Sequence, residues 1–269
     1  MFELRDYQIA NAKKCRLKLK EYKICILNMQ VRTGKSHIAL DVAKDYSNVL
    51  FITKKKAISS IENDYTAANH SFNITVINYE SLHKVSGLFD LVICDESHNL
   101  ATYPKPSKRI KAVKQFVKND LLLLTGTLLP ESNSQIFHQL WVSPYSPYKN
   151  CGNFYKWHKI FGTPKTLFTS YGEAKDYSVV DYEKIKTTVD RLKVSFTQNE
   201  AGFTTKVNEH IIKVDMKQST INIMDKLRKD LVIEGKNEVL LADTGVKLMS
   251  KLQQMSSGTV KFESGNAAT

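Results

Sequence analysis

The chain has 269 residues, 42% of them hydrophobic and 25% charged, a globular composition without internal repeat or low-complexity segment, sufficient for one large domain or two small ones. No apolar run approaches the ~20 residues that span a bilayer, and Glu3, Arg5 and Asp6 place charge too early for a signal-peptide core. The net charge of +12 points to a polyanionic partner, nucleic acid before an anionic membrane, with a merely Lys-rich protein as the equally weighted alternative from charge alone.

Cys15, Cys25, Cys94 and Cys151 lack metal-type spacing, and Cys25 and Cys94 sit in apolar runs. Buried free thiols in a reducing, cytoplasmic setting are therefore expected. Residues 3–22 read as a helix with a basic face (Lys13, Lys14, Arg16, Lys18, Lys20). Residues 23–27 read as a short buried strand, and Ile38, Ala39, Leu40, Val42 and Ala43 mark a helix over 35–45. Between them lies Met29-Gln-Val-Arg-Thr-Gly-Lys-Ser36. A strand, a tight loop and a helix opening at Gly34-Lys35-Ser36 make a phosphate cradle, because N–H groups and the dipole at a helix N-terminus favour anions. In that pattern the lysine reaches the β/γ-phosphates and the serine holds Mg²⁺. The usual first loop glycine is here Met29.

Residues 48–53, Asn-Val-Leu-Phe-Ile-Thr, read as a buried parallel strand, followed by Lys54, Lys55 and Lys56 where ligands meet such sheets. A short helix near 56–66 and a β-branched strand at 73–79 follow, the latter running into Glu80-Ser81-Leu82. Residues 89–94 form the next buried strand and end in Asp95-Glu96-Ser97-His98. At the sheet edge beside a phosphate loop, Asp95 would hold the metal and Glu96 would polarise an attacking water. An amphipathic helix at 107–118 precedes a strand at 120–124, which ends in Thr125-Gly126-Thr127. Five such strands alternating with helices predict a doubly wound parallel α/β sheet.

The order Leu4-Arg-Asp-Tyr-Gln8, Gly34-Lys-Ser36, Val49-Leu-Phe-Ile-Thr-Lys54, Ile77-Asn-Tyr-Glu-Ser-Leu82, Asp95-Glu-Ser-His98 and Leu124-Thr-Gly-Thr-Leu-Leu-Pro130 resembles the superfamily-two helicases. More closely, it resembles the Swi/Snf-type DNA translocases. Tyr79-Glu-Ser-Leu82, Ser107-Lys-Arg-Ile-Lys111 and the segment from Leu124 through Asn133 and Leu140 carry that closer likeness. The resemblance implies a RecA-like lobe with ATP and Mg²⁺ as cofactors. It gives nucleotide contacts to Arg5, Gln8 (the adenine), Arg32, Thr33, Gly34, Lys35 and Ser36, and the metal to Ser36 and Asp95. Catalysis falls to Lys35, Asp95 and Glu96, and coupling of nucleotide state to DNA to His98, Thr125, Gly126 and Thr127. DNA-backbone contacts fall to Lys54, Lys55, Tyr79, Glu80 and Ser81. Ser97 replaces the usual alanine and Leu128 the usual proline; the serine is expected to be tolerated.

The expected organisation is a core lobe over 1–142, a mostly helical insertion over 143–205, a strand over 206–216 closing the lobe, and a helical bridge over 217–269. In the insertion, the aromatic-basic run 154–161 reads as helical core rather than a base-stacking path, and 181–192 reads as a helix; further helices are expected at 217–233 and 236–255. No Gln-x-x-Gly-Arg-x-x-Arg motif occurs, and Arg228 is the single arginine after residue 200. The expectation is thus one lobe of a two-lobe, monomeric, compact phage or bacterial motor, lacking its C-terminal lobe, off the membrane, tracking duplex DNA and weakly active alone. Two other readings stay open. Met29 allows a nucleic-acid-binding module with a degenerate nucleotide site. A small-molecule phosphate-loop kinase leaves the Thr-Gly-Thr and Tyr-Glu-Ser-Leu segments unexplained.

Overall fold

The computed structural model describes residues 3–169, 172–203, 210–211, 214–235 and 238–268. The chain forms two compact units, Met1–Thr205 and Lys206–Thr269.

The first unit begins with α1 (Asp6–Tyr22), β1 (Ile24–Met29), α2 (Lys35–Ala43), β2 (Asn48–Thr53), α3 (Ile58–Ala67), β3 (Asn73–Asn78), β4 (Leu91–Cys94), α4 (Lys108–Phe116) and β5 (Asp120–Thr125). It continues with α5 (Ile136–Trp141), α6 (Phe154–Phe161), the antiparallel hairpin β6 (Lys165–Thr169) and β7 (Gly172–Asp176), α7 (Tyr182–Leu192) and β8 (Lys193–Phe196). Among the described residues, six strands make one parallel sheet in the order β3-β2-β4-β5-β1-β8. A parallel sheet is covered on both faces, so its strands read as continuous apolar runs, and β4 and β5 are buried at every position.

Successive side chains of a strand point to opposite faces. Ile24, Ile26, Leu50, Ile52, Val92, Leu121 and Leu123 enter one core layer with α4, α5, α6 and α7. Cys25, Leu27, Met29, Val49, Phe51, Leu91, Ile93, Leu122 and Leu124 enter the other with α1, α2 and α3. Burying one such aliphatic side chain contributes about 1.5–3 kcal/mol, so this two-sided packing fixes the register and, with it, the strand ends. The order then sets the carboxyl ends of β2, β4, β5 and β1 side by side. Thr53, Asp95, Thr125 and the loop after Met29 share one edge.

Local signals end the helices. Ser107 Oγ accepts from Ile110 N at 3.3 Å at the start of α4, and Asn153 Oδ1 accepts from Lys156 N at 3.0 Å at the start of α6. The aromatic-basic run is core, as expected. Phe154 and Trp157 are buried against Phe137, with ring centroids 5.7 and 5.2 Å from it.

Two expectations about this unit need correction. The stretch 143–205 is not mostly helical, since it holds the β6–β7 hairpin and β8. The strand closing the lobe is β8, paired parallel with β1 from Ile26↔Lys193 to Met29↔Phe196. In the segment expected to close it, residues 206–209, 212 and 213 lie outside the described residues, and 210, 211, 214 and 215 belong to no strand. Four residues, two of them polar, suffice for an edge strand covered on one side.

The second unit contains α8 (Gln218–Asp230), β9 (Val232–Glu234), β10 (Val239–Leu241), α9 (Gly245–Ser256), β11 (Val260–Lys261) and β12 (Ala267–Ala268) around Met224, Leu227, Leu240, Leu252 and Met255. The helix expected over 236–255 starts only at Gly245, because Val239–Leu241 pairs antiparallel with β9 and Thr244 Oγ1 caps Lys247 N. Among the described residues no helix is long and apolar enough to cross a membrane.

Candidate functional site

The phosphate-type loop runs from Gln30 to Gly34 between β1 and α2. Thr33, fully buried, donates its hydroxyl to Gln30 O at 2.7 Å and closes the loop on itself. Arg32 is exposed at φ +63° and Gly34 turns the chain into α2 at φ +82°. Lys35 Nζ donates to Met29 O at 2.9 Å and Gln30 O at 3.3 Å. Burial lowers the lysine pKa, against the opposing pull of the Glu96 and Asp95 carboxylates. Ser36 is half-buried in the first turn of α2.

Two glutamines brace this loop. Gln8 is buried at the third position of α1, and its Oε1 accepts from Arg5 N at 2.9 Å, a reach back that satisfies a free N–H at the helix start. Its Nε2 donates to Thr33 O at 3.4 Å. On the other side, Gln198 Nε2 donates to Val31 O at 2.9 Å, Gln198 N donates to Gln30 Oε1 at 2.7 Å, and Gln30 N donates to Phe196 O at 3.2 Å. Arg5 is exposed, its guanidinium carbon 6.0 Å from the Phe203 ring centre. Met29, the departure from the glycine pattern, is the last residue of β1. Its side chain is 1% exposed within the core, so the cradle begins one residue later.

The acidic pair follows β4. Asp95 N extends the ladder to Ile52 O at 2.8 Å. Asp95 Oδ2 accepts from Thr53 Oγ1 at 2.7 Å and Oδ1 from Glu96 N at 2.9 Å. Burial raises the carboxyl pKa, while the Thr53 hydrogen bond and the Lys35 ammonium draw it back. Glu96 takes a left-handed backbone, φ +49° and ψ +55°, which costs a non-glycine residue about 1–2 kcal/mol. Its carbonyl accepts from Asn99 N at 2.9 Å and Asn99 Nδ2 at 2.8 Å, which hold the turn. His98 Nδ1 lies 3.3 Å from Glu96 Oε2, at ion-pair distance but out of hydrogen-bond alignment.

Thr125 is buried, and its Oγ1 accepts from Thr127 N at 3.1 Å. A Cβ on Gly126 would stand 3.4 Å from Met29 O and 4.0 Å from Lys35 Nζ, so this turn abuts the lysine. The structure thus gathers Gln8, Gly34, Lys35, Asp95, Glu96 and Thr125–Thr127 at one edge. Lys54 and Lys55 are exposed just past β2.

Tyr79 stands differently from the expectation of a DNA-facing side chain. It is 4% exposed, and its hydroxyl donates to Asp95 O at 2.6 Å, which makes it a support of the acidic turn. Glu80 is exposed and paired with Arg109 Nη2 at 2.6 Å, and Ser81 is half-buried. Thr53 and Gln198 escaped the sequence reading. A hydroxyl closing an otherwise apolar buried strand was a usable signal for Thr53. Gln198, distant in sequence and half-buried in a turn, offered none.

The residues fit a nucleotide with Mg²⁺. Among the described residues, no three His, Cys, Asp or Glu side chains gather as a metal cage. Mg²⁺ needs none, since it is commonly held by one or two protein oxygens together with phosphates. Ser36 and the Asp95 carboxylate are hard oxygen donors of that kind.

The sequence matches the SNF2-related domain over residues 21–261. The chain therefore belongs to the SNF2-related domain family. A search of curated proteins returned no match. Among solved structures, the Sulfolobus solfataricus SWI2/SNF2 ATPase core in complex with dsDNA superposes over 94% of this chain and 58% of its own length. The TM-score is 0.57 at 16% identity, a likeness of fold. This chain thus spans 58% of that core. A nuclease-deletion mutant of the Type ISP restriction-modification enzyme LlaGI, in complex with a DNA substrate mimic, aligns over 48% of this chain and 18% of its own, with TM-score 0.35 at 14% identity.

Proposed function

We propose that the chain is the ATP-binding motor lobe of a DNA-dependent ATPase that couples nucleotide hydrolysis to movement on duplex DNA. The observation that carries this is the convergence of Lys35, Asp95, Glu96 and the Thr125–Thr127 turn at one sheet edge, in a member of the SNF2-related family. Mg²⁺–ATP would bring a transferable γ-phosphoryl whose charge the metal partly neutralises. Lys35, freed from the Met29 and Gln30 carbonyls, binds the β/γ oxygens. Ser36 and Asp95 would hold the metal, and Thr53 keeps the Asp95 carboxylate aimed. Glu96 orients the attacking water and takes its proton. Arg5, Arg32 and Thr33 belong to the same reading as nucleotide contacts. Gln8 serves the adenine with its remaining N–H and lone pair while it props the loop.

Lys54, Lys55, Glu80 and Ser81 are assigned to the DNA side, with His98, Gly126 and the two threonines as the coupling turn. The +12 charge and the duplex in the Sulfolobus complex support a duplex partner. The four free thiols fit a reducing compartment such as a bacterial cytoplasm. The short spacing of the motifs favours a compact phage or bacterial translocase. Slow turnover by this lobe alone, with a further lobe completing the site, belongs to the same proposal.

The test measures Mg²⁺–ATP affinity, ATP hydrolysis and duplex affinity of residues 1–269. Binding of both ligands, hydrolysis that rises with duplex, and DNA affinity that falls steeply with salt are expected. Absence of Mg²⁺–ATP binding at millimolar concentration refutes the reading. Gln198→Ala removes the hydrogen bond to Val31 O, about 1 kcal/mol. A roughly fivefold loss of ATP affinity is expected by calorimetric titration, with the melting temperature down by a few degrees.

A further inference from the structure

Gln139 lies on α5 and is fully buried, as is Ser97. Ser97 Oγ donates to Gln139 Oε1 at 2.8 Å. Gln139 Nε2 donates to Leu128 O at 2.9 Å and to Gln135 O at 3.2 Å. Ser97 directly follows Glu96, and Leu128 directly follows Thr127. One planar amide therefore grips the two turns that flank the reacting phosphate in the reading above, and it spends both N–H donors and an acceptor doing so. Each grip is a buried hydrogen bond, which the interior strengthens and does not replace with water.

The amide is rigidly based. Its helix packs Phe137 against Trp157 and Phe154. The other turn is poised, since Glu96 is held in a left-handed backbone by hydrogen bonds to its neighbours, Tyr79 to Asp95 O and Asn99 to Glu96 O. A shift of the Leu128 carbonyl has to tilt the Gln139 amide or break with it, and the tilt reaches Ser97 and the Glu96 backbone. The alanine usual at position 97 in the family resemblance has no hydroxyl to make this joint.

We propose that Gln139, with Ser97, is a positioning pair that links the Thr125–Thr127 turn to Glu96 and carries the coupling between DNA contact and nucleotide state. This rests on the ATPase reading. The test is a linkage measurement that needs no turnover. The affinity for a fluorescein-labelled 20-base-pair duplex is measured with and without Mg²⁺ and a non-hydrolysable ATP analogue, in wild type, Gln139→Leu and the double variant Ser97→Ala/Gln139→Leu. The double variant removes the Ser97 hydroxyl together with its amide partner, which leaves the Leu128 carbonyl as the group that loses a donor, and circular dichroism with a melting curve checks that the fold is kept.

In wild type the analogue is expected to change duplex affinity by about fivefold or more. In both variants the ratio is expected to fall to about one, with each ligand alone bound within about threefold of wild type. Variants that keep the wild-type ratio overturn the joint. So does a wild-type ratio of one with both ligands bound, or a variant that loses affinity for each ligand separately. A wild-type chain that binds neither ligand overturns the ATPase reading itself.

Discussion

Glu96→Gln is expected to lower ATP turnover by about 10²–10⁴-fold, the range for loss of a general base. The affinity for Mg²⁺–ATP should stay within about twofold, since an isosteric amide still accepts a hydrogen bond from water but no longer takes its proton. The backbone argues that the effect stays local. The left-handed turn at Glu96 is held through its own main-chain groups, the Asn99 N–H donating to the Glu96 carbonyl and the Glu96 N–H donating to Asp95 Oδ1, and neither depends on the Glu96 carboxylate. The check is single-turnover hydrolysis with duplex present, beside titration of the nucleotide. Hydrolysis above about a tenth of wild type would remove Glu96 from the role of base.

Gly34→Ala is the second large effect, and it acts on binding. At φ +82° a side chain is strained, and the new Cβ would stand 2.0 Å from Gln8 Nε2 and 3.3 Å from Gln8 Cδ. Gln8 has little room to yield, being buried and bonded to Arg5 N and Thr33 O. The left-handed strain alone costs about 1–2 kcal/mol, and relieving the collision spreads the loop whose N–H groups cradle phosphate. ATP affinity is expected to fall by about 10²-fold or more, with the melting temperature down by a few degrees. Adding Gln8→Ala removes the collision but not the strain, so the pair should recover melting temperature partly while affinity stays low. Unchanged affinity in Gly34→Ala would mean that phosphate does not sit on this loop.

The sequence made the loop and the acidic turn visible because each is a local pattern, with residue types fixed by a strand end and a helix start a few positions apart. The sheet class was visible for the same reason, in apolar runs such as Val49–Ile52 and Leu121–Leu124. What escaped depends on contacts between distant residues. Ser97 looked like a harmless replacement until Gln139, 42 positions away, was found on its hydroxyl. Tyr79 sits in a motif read as DNA-facing, yet only the packed structure shows its hydroxyl under Asp95. Residues 206–215, rich in β-branched side chains, have a stronger strand pattern than Lys193–Phe196. That stretch pairs with β1 although it has only Val194 fully buried. Met29 stands where the phosphate-loop pattern has glycine, and the sequence does not reveal where a strand ends to within one residue.

The pairing of β8 with β1 also sets an order of events during synthesis. β1 and the loop after it leave the ribosome early, but their edge partner and Gln198 are made some 165 residues later. At 5–20 residues per second that is an interval of about ten to thirty seconds. Through it, the Gln30 N–H and the Val31 carbonyl lack their partners, and β1 offers an unpaired edge to any neighbouring strand. The nascent lobe therefore acquires a finished phosphate cradle only when the chain has passed residue 198, and its exposure to misassembly is concentrated before that point.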